Sequence, residues 1–201
     1  MNTQFDICIR GAGMVGKTLA LLLARERLRV ALVRSPDDVQ SEGAKADIRS
    51  YALNAASRQL LQSLKVWPDA ASDACLIAHM LVREAGGAQV AFAALDERPL
   101  AHIVDAATLD AQLEQALRYQ SGVTEVADGV SATLLAVCEG RDSASRTELG
   151  LDYEASAYGQ TAIATHLACE LPHGNTAYQW FDQAGNILAL LPRAQCADHA
   201  A

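Results

Sequence analysis

The 201-residue sequence contains no apolar run long enough to span a bilayer, no C-x-x-C pair and no basic stripe. Its longest apolar clusters, such as Leu19–Ala24, are far shorter than the roughly 20 residues that a membrane-spanning helix needs. The net charge of −8 argues against a nucleic-acid-binding surface. No signal peptide is visible, because Asp6 and Arg10 interrupt the N-terminal apolar residues. These absences predict a cytoplasmic protein and leave peripheral membrane contact open.

The five cysteines are scattered and odd in number, which favours reduced thiols over a disulfide framework. His166 and Cys169 stand three residues apart, with His173 following, but this segment has the pattern of strand and turn. A buried neutral histidine beside a free thiol is the preferred interpretation, so no metal site is predicted. Ser143 and Ser145 lack the G-x-S-x-G pattern of a hydrolase nucleophile.

An apolar strand, a glycine-rich turn and a helix-prone segment follow one another near the start of the chain. The strand contains Ile7 and Ile9, the turn reads Gly11-Ala12-Gly13-Met14-Val15-Gly16, and Lys17–Glu26 continues as helix. In the G-x-G-x-x-G fingerprint the first glycine permits a tight turn and the second lets the backbone approach a pyrophosphate. The third lets the helix pack closely on the strand. The sequence therefore predicts a nucleotide site at this helix N-terminus, against the alternative of a glycine-rich turn in an ordinary βαβ unit.

The second strand, Val30–Val33, is expected to lie parallel to the first through a right-handed crossover. The fingerprint places an acidic residue at the end of this strand to hold ribose hydroxyls, whereas the sequence has Arg34 there. Asp37 and Asp38 lie nearby, beyond a proline-containing turn. Arg34 is therefore a departure from the fingerprint, and a nicotinamide-dependent dehydrogenase whose Arg34 accepts a 2′-phosphate stays open as an alternative.

The remaining pattern predicts an α/β front half with added antiparallel sheet. Helices are expected at Asn54–Leu64 and Thr108–Arg118, the latter with apolar residues at helical spacing. The expected strands are Leu76–Arg83 and Gln89–Ala94 around the Gly86-Gly87 turn, Leu100–Val104, Val123–Val126, Leu134–Cys138, Thr161–Cys169, Ala177–Phe181 and Ile187–Leu191.

Three stretches together carry a family resemblance. The first is the glycine turn Gly11–Gly16, and the second is Asp47-Ile48-Arg49-Ser50-Tyr51-Ala52-Leu53, in an Asp-x-Arg-x-x-Ala-Leu pattern. The third is Glu139-Gly140-Arg141-Asp142-Ser143-Ala144-Ser145-Arg146, which is similar to an Asp-Gly-x-x-Ser-x-x-Arg motif with Glu in place of Asp. With these motifs the chain resembles the FAD-dependent aromatic hydroxylases, in the group that includes the ubiquinone-biosynthesis hydroxylases. The resemblance covers essentially the whole chain.

The resemblance implies a flavoprotein monooxygenase (an oxidoreductase) that hydroxylates a phenolic or polyprenyl-phenol substrate with FAD, NAD(P)H and O2. It implies a Rossmann-like FAD/NAD(P)-binding domain with a parallel sheet at residues 1–75 and 105–157. Part of an antiparallel β substrate domain is expected at residues 76–104 and 158–201. No catalytic acid or base is named, because the flavin carries this chemistry. A small aromatic substrate and contact with a membrane surface or a hydroxylase complex are the expected partners, without nucleic acid.

The third motif lies near the FAD pyrophosphate in that family. Carried over, Glu139, Gly140, Ser143 and Arg146 become candidates for supporting the cofactor, and Arg49 for contacting it. A glycine after a buried strand allows close backbone approach, and an arginine suits a diphosphate. The alternative is a surface ion pair between Glu139 and Arg146, with Ser143 capping the following helix. The candidate cofactor-binding set is Gly11, Ala12, Gly13, Met14, Val15, Gly16, Arg34, Arg49, Glu139, Gly140, Ser143 and Arg146.

Family members carry a further Gly-Asp motif that holds the FAD ribose and the flavin, and nothing after Pro192 supplies it. The resemblance therefore implies a truncated chain. A nonenzymatic remnant of the Rossmann half, which binds a nucleotide or assembles with a partner, is the alternative function. A substrate sheet that stops near Leu191 is expected to leave an exposed apolar edge.

Overall fold

The computed structural model describes residues 4–34, 47–68, 73–96, 98–127 and 130–194. The chain divides into two compact units, of which the first comprises residues 1–46, 64–66 and 110–163. The second comprises residues 47–63, 67–109 and 164–201. The predicted positions Asp37 and Asp38 lie outside the described residues.

The described elements alternate between strands and helices in the first part of the chain. In chain order they are β1 (Phe5–Arg10), α1 (Met14–Arg25), β2 (Val30–Val33), β3 (Ser50–Leu53), α2 (Ala55–Ser63), β4 (Ala74–Ile77), β5 (His79–Glu84), β6 (Gln89–Ala93), β7 (Ala101–Asp105), α3 (Ala106–Arg118), β8 (Val123–Val126), β9 (Ala132–Val137), α4 (Ala144–Glu148), β10 (Thr176–Phe181) and β11 (Ile187–Leu190).

The first unit is built on a four-stranded sheet in the order β8-β2-β1-β9, with every neighbouring pair parallel. Its two central strands are almost continuously apolar, as expected for strands that are covered on both faces. Ile9, Val30 and Leu32 have no measurable exposure to solvent. The parallel pairing of β1 with β2 confirms the βαβ unit that the sequence predicts, and it brings the carboxyl ends of these strands to one edge of the sheet.

The second unit contains two sheets. The strand order is β3-β7-β4 in the first, which is antiparallel, and β11-β10-β5-β6 in the second, in which only the β10–β5 pair is parallel. Its core is a cluster of four buried residues contributed by β4, β7 and β10: Cys75, Ile77, Ile103 and Ala177. An α/β fold with one parallel sheet and added antiparallel sheets is thereby confirmed.

Two strand predictions are wrong. The expected strand Leu76–Arg83 is broken at Ala78 into β4 and β5, which belong to different sheets. The expected strand Thr161–Cys169 has no regular structure, although its sequence is rich in β-branched residues. Residues 150–172 are exposed throughout, and a strand needs both a pairing partner and a buried face to be stable. By contrast, β5 and β6 form the predicted antiparallel hairpin.

The edge strand β11 is apolar and open to solvent. Ile187 and Leu188, whose side chains point to opposite faces of the sheet, are each more than half exposed. Among the described residues, no helix is long and apolar enough to cross a membrane.

Candidate nucleotide site

Two glycines of the turn between β1 and α1 are required by the chain's own packing. Gly11 has φ +101°, and a Cβ built on it would lie 2.5 Å from the carbonyl oxygen of Cys138. A Cβ on Gly16 would lie 1.9 Å from the carbonyl oxygen of Gly11. Both obstacles are backbone atoms, which cannot rotate away, so no other residue fits at either position. The turn therefore packs closely against the end of β9.

Gly13 differs from these two because open space surrounds the position where a Cβ would stand. It is the N-cap of the 12-residue helix α1, no side chain caps this helix, and its first turn holds no acidic residue. The first N–H groups of a helix have no partner within it, and together with the helix dipole they attract an anion. The open space and the uncapped helix N-terminus therefore fit a pyrophosphate group, and Ala12, Met14 and Val15 complete this turn.

The 139–146 segment follows β9 and forms a tight turn into α4. Ser143 is the N-cap of α4, and its hydroxyl oxygen accepts a hydrogen bond from the backbone N–H of Arg146 at 3.1 Å. Glu139 accepts three hydrogen bonds, from the Ser143 hydroxyl at 2.6 Å and from the backbone N–H and hydroxyl of Ser145, both at 2.9 Å. The helix cap expected for Ser143 is present.

The pKa of Glu139 reflects this arrangement. Burial, the largest influence, acts to raise the pKa, but the hydrogen bonds from Ser143 and Ser145 outweigh it and hold the pKa below its ordinary value. Gly140 follows in the left-handed region, with φ +74° and open space at its Cβ position. The carboxylate thus fixes a turn whose glycine backbone is accessible from outside.

Arg146 does not form the surface ion pair with Glu139 that the alternative interpretation proposed. Its guanidinium donates to the carbonyl oxygen of Arg141 at 2.6 Å and lies over the ring of Tyr153, 4.2 Å from the ring centroid. These contacts close the turn on itself. Arg146 and Glu139 therefore stabilise the turn at different points.

Arg34 lies at the end of β2, where the fingerprint has a carboxylate, and it is surrounded by carboxylates. Its guanidinium makes four hydrogen bonds, two to Glu114 of α3 at 2.9 Å and two to Glu125 of β8 at 2.9 and 2.5 Å. The hydrogen bonds that Arg34 donates to Glu125 and Glu114 raise the pKa of Arg34, so the group stays charged. Most of its donors are thus used within the first unit.

Lys17 extends this network from α1. Its ammonium nitrogen lies 2.6 Å from a carboxylate oxygen of Asp110 and 2.6 Å from one of Glu114, and the Lys17 side chain is only 4% exposed. Burial, the largest influence, acts to raise the pKa of Glu114, but hydrogen bonds from Arg34 and Lys17 outweigh it and hold this pKa at about 2. The sequence analysis missed Lys17, Asp110 and Glu114. A lysine in the first turns of the mostly apolar helix α1 was the available signal.

The remaining predicted residue, Arg49, belongs to the second unit. It pairs with Asp47 two residues earlier, through a bidentate contact whose shortest distance is 2.7 Å. In the same unit, Tyr178 and Trp180 stack with ring centroids 5.4 Å apart. The described residues include no group of three or more His, Cys, Asp or Glu side chains placed to hold a metal ion.

Comparisons with known proteins place this geometry in context. No protein-family model matches the chain. Ubiquinone hydroxylase UbiL of Rhodospirillum rubrum is 28% identical over 93% of this chain and 49% of its own length. The 3-demethoxyubiquinol 3-hydroxylase of Escherichia coli is 28% identical over 92% of this chain and 54% of its own length. The chain therefore spans about half the length of the curated relatives it matches.

Among solved structures, PqsL of Pseudomonas aeruginosa, described as a probable FAD-dependent monooxygenase, superposes with a TM-score of 0.67. It is 18% identical, and the match covers 95% of this chain and 58% of PqsL, so this likeness concerns the fold. The sequence and fold comparisons support the predicted resemblance to the FAD-dependent aromatic hydroxylases. Both of these relatives in sequence are named as hydroxylases, one of ubiquinone and one of 3-demethoxyubiquinol.

Proposed function

We propose that this chain binds FAD and forms the cofactor-binding part of a monooxygenase that hydroxylates an aromatic ring. The observation that carries the proposal is the open, uncapped N-terminus of α1 at Gly13, which fits a pyrophosphate group. The fold shared with PqsL, described as a probable FAD-dependent monooxygenase, supports FAD over other dinucleotides. The sequence similarity to hydroxylases named for ubiquinone and 3-demethoxyubiquinol supports a phenolic or polyprenyl-phenol substrate over other rings.

In this proposal the residues of the chain have distinct roles toward the cofactor. The backbone of Gly11–Gly16 would hold the pyrophosphate, and Gly140 would let a second backbone segment approach it. Arg34 would act at the ribose end through the carboxylates of Glu114 and Glu125, since its own donors already bind them. Glu139, Ser143 and Arg146 would support the cofactor by fixing the turn that presents Gly140.

When bound, FAD would supply the redox chemistry, with NAD(P)H as the reductant and O2 as the source of the transferred oxygen atom. The protein's contribution is binding, orientation and exclusion of water, so no side chain is assigned as a catalytic acid or base. The substrate is proposed to be a small aromatic molecule. Association with a membrane surface or with other hydroxylases of the same pathway is part of the proposal.

Visible absorption spectroscopy tests the cofactor assignment directly. The purified chain is incubated with FAD, passed through gel filtration and scanned between about 350 and 500 nm, where an oxidised flavin absorbs. Retained flavin bands in the protein fraction are the expected result. A colourless protein that takes up no FAD would contradict the proposal. A Gly13→Asp variant is the control, because a carboxylate at that position repels a pyrophosphate while the open space accommodates its side chain.

Nucleotide binding without turnover is the second candidate. It is favoured by Arg34, which replaces the acidic ribose ligand of the fingerprint and is committed to Glu114 and Glu125. Substrate-dependent consumption of NAD(P)H by the FAD-loaded chain would exclude this second candidate. Binding of FAD with no oxidation of NADH or NADPH, over a panel of phenols, would favour it.

A further inference from the structure

Arg10 is an unusual last residue for β1. The four apolar residues of this strand are buried, and the strand lies in the middle of a parallel sheet, where apolar residues are expected. Arg10 immediately precedes Gly11, so its position is tied to the glycine turn. Its side chain is only 23% exposed, and the carbonyl oxygen of the same residue accepts a hydrogen bond from the N–H of Cys138 at 2.7 Å.

The Arg10 guanidinium extends toward α4 and binds two side chains there. Nη1 donates to the hydroxyl oxygen of Ser145 at 2.9 Å and to a carboxylate oxygen of Glu148 at 2.9 Å. Ser145 is 1% exposed, whereas the Glu148 side chain is 64% exposed. A hydrogen bond to a buried group contributes more than an ion pair in water, so the Ser145 contact is the stronger of the two.

Ser145 binds Glu139 as well as Arg10. Its hydroxyl accepts from Arg10 and donates to one carboxylate oxygen of Glu139, while its N–H donates to the other. Glu139 is also the position at which the chain has Glu where the motif has Asp. Arg10 donates to the hydroxyl of this buried serine, and Glu139 accepts from the same residue.

We propose that Arg10 is a positioning residue that couples the glycine turn to the 139–146 turn through Ser145. The coupling holds Gly11–Gly13 and Gly140 in register, so that both backbone segments face one ligand. Arg10 itself does not contact the ligand. The effect on FAD affinity depends on the proposed function, whereas the coupling between the two turns is a property of the protein without cofactor and is measurable by itself.

Two readouts on one set of variants test this proposal. Arg10→Met removes the donor while keeping a long side chain, and Ser145→Ala removes the buried acceptor. Amide hydrogen exchange of residues 11–16 is measured by mass spectrometry without cofactor, and FAD affinity is measured by fluorescence titration. We expect each variant to speed exchange in residues 11–16 and to raise the FAD dissociation constant about tenfold. The effect of the double variant should be smaller than the sum of the two single effects, because both substitutions remove the bond between Arg10 and Ser145.

Matched controls separate positioning from general stability. Arg29→Met breaks the pairing with Asp6, which lies at the other end of β1. This variant should change neither the hydrogen exchange of residues 11–16 nor the FAD dissociation constant. Glu148→Gln breaks only the exposed contact of Arg10 and should change the FAD dissociation constant less than about twofold. Arg10→Lys retains a donor and should recover part of the affinity, which a purely structural loss would not do.

The outcomes are distinguishable from those of the proposed function. If the wild-type chain binds no FAD, the proposed function fails, and hydrogen exchange still decides the role of Arg10. Additive effects of Arg10→Met and Ser145→Ala would overturn the proposal, as would unchanged exchange in residues 11–16. Uniformly faster exchange across the whole first unit would also overturn it, since that result indicates a general loss of stability.

Discussion

Replacement of Glu114 by glutamine should destabilise the first unit by removing the shared partner of Lys17 and Arg34. The Lys17 side chain is almost fully buried, and Glu114 is bonded both to it and to Arg34. The structure holds the pKa of Glu114 at about 2, against an ordinary value of 4.5. This difference corresponds to at most about 3 kcal/mol of stability in the ionised form. Because Asp110 remains beside Lys17, we expect Glu114→Gln to lower the free energy of unfolding by about 2 kcal/mol.

The pH dependence of this loss follows from the direction of the shift. A carboxylate with a lowered pKa in the folded state stabilises that state above its unfolded pKa, and the stabilisation disappears as the pH falls through the folded pKa. The difference in the free energy of unfolding between wild type and Glu114→Gln should therefore be largest at pH 7. It should fall to about 1 kcal/mol near pH 3, where the unfolded chain is already protonated at this position.

Urea unfolding, followed by far-ultraviolet circular dichroism at pH 7 and pH 3, measures this difference. Glu154→Gln is the control, because Glu154 lies in an exposed segment without regular structure. The reasoning would be refuted if, at pH 7, Glu114→Gln lowered the free energy of unfolding no more than the control does. A loss that stays constant between pH 7 and pH 3 would do the same, since it could not come from the charge of Glu114.

Two further predictions concern the glycine turn and a buried histidine. Gly16→Ala should lower the free energy of unfolding by more than 2 kcal/mol, whereas Gly13→Ala should leave it within about 0.5 kcal/mol and weaken FAD binding. Equal unfolding midpoints for the two variants in urea would contradict this. Burial and the charge of Arg58 lower the pKa of His102, so the unfolded chain takes up a proton at higher pH than the folded chain. Stability should therefore fall as the pH drops below 6.5, and His102→Gln should flatten that decline in thermal melts. An unchanged dependence of the melting temperature on pH in this variant would count against a neutral His102.

The sequence by itself determined the local geometry of the glycine turn at the candidate nucleotide site. The strand, the glycine turn and the helix from Phe5 to Arg25 are specified by neighbouring residues, because glycine spacing and apolar periodicity act over a few positions. The cap at Ser143 was likewise foreseen, since a serine before a short helix has a local hydrogen-bond partner. The prediction of Thr161–Cys169 as a strand failed because strand formation depends on a partner that intrinsic propensity does not supply.

Only the tertiary structure decided which charged residues meet. Arg34 binds Glu114 and Glu125, which are 80 and 91 positions away, and Arg10 binds Ser145 across 135 positions. The Arg34–Glu125 pairing follows from the order of the strands in the parallel sheet, which brings the ends of β2 and β8 side by side, whereas Glu114 and Ser145 are supplied by the helices α3 and α4. The spacing of residues along the chain carries no information about that order. Neighbouring residues therefore determine the glycine turn, and the fold decides which side chains hold that turn in place.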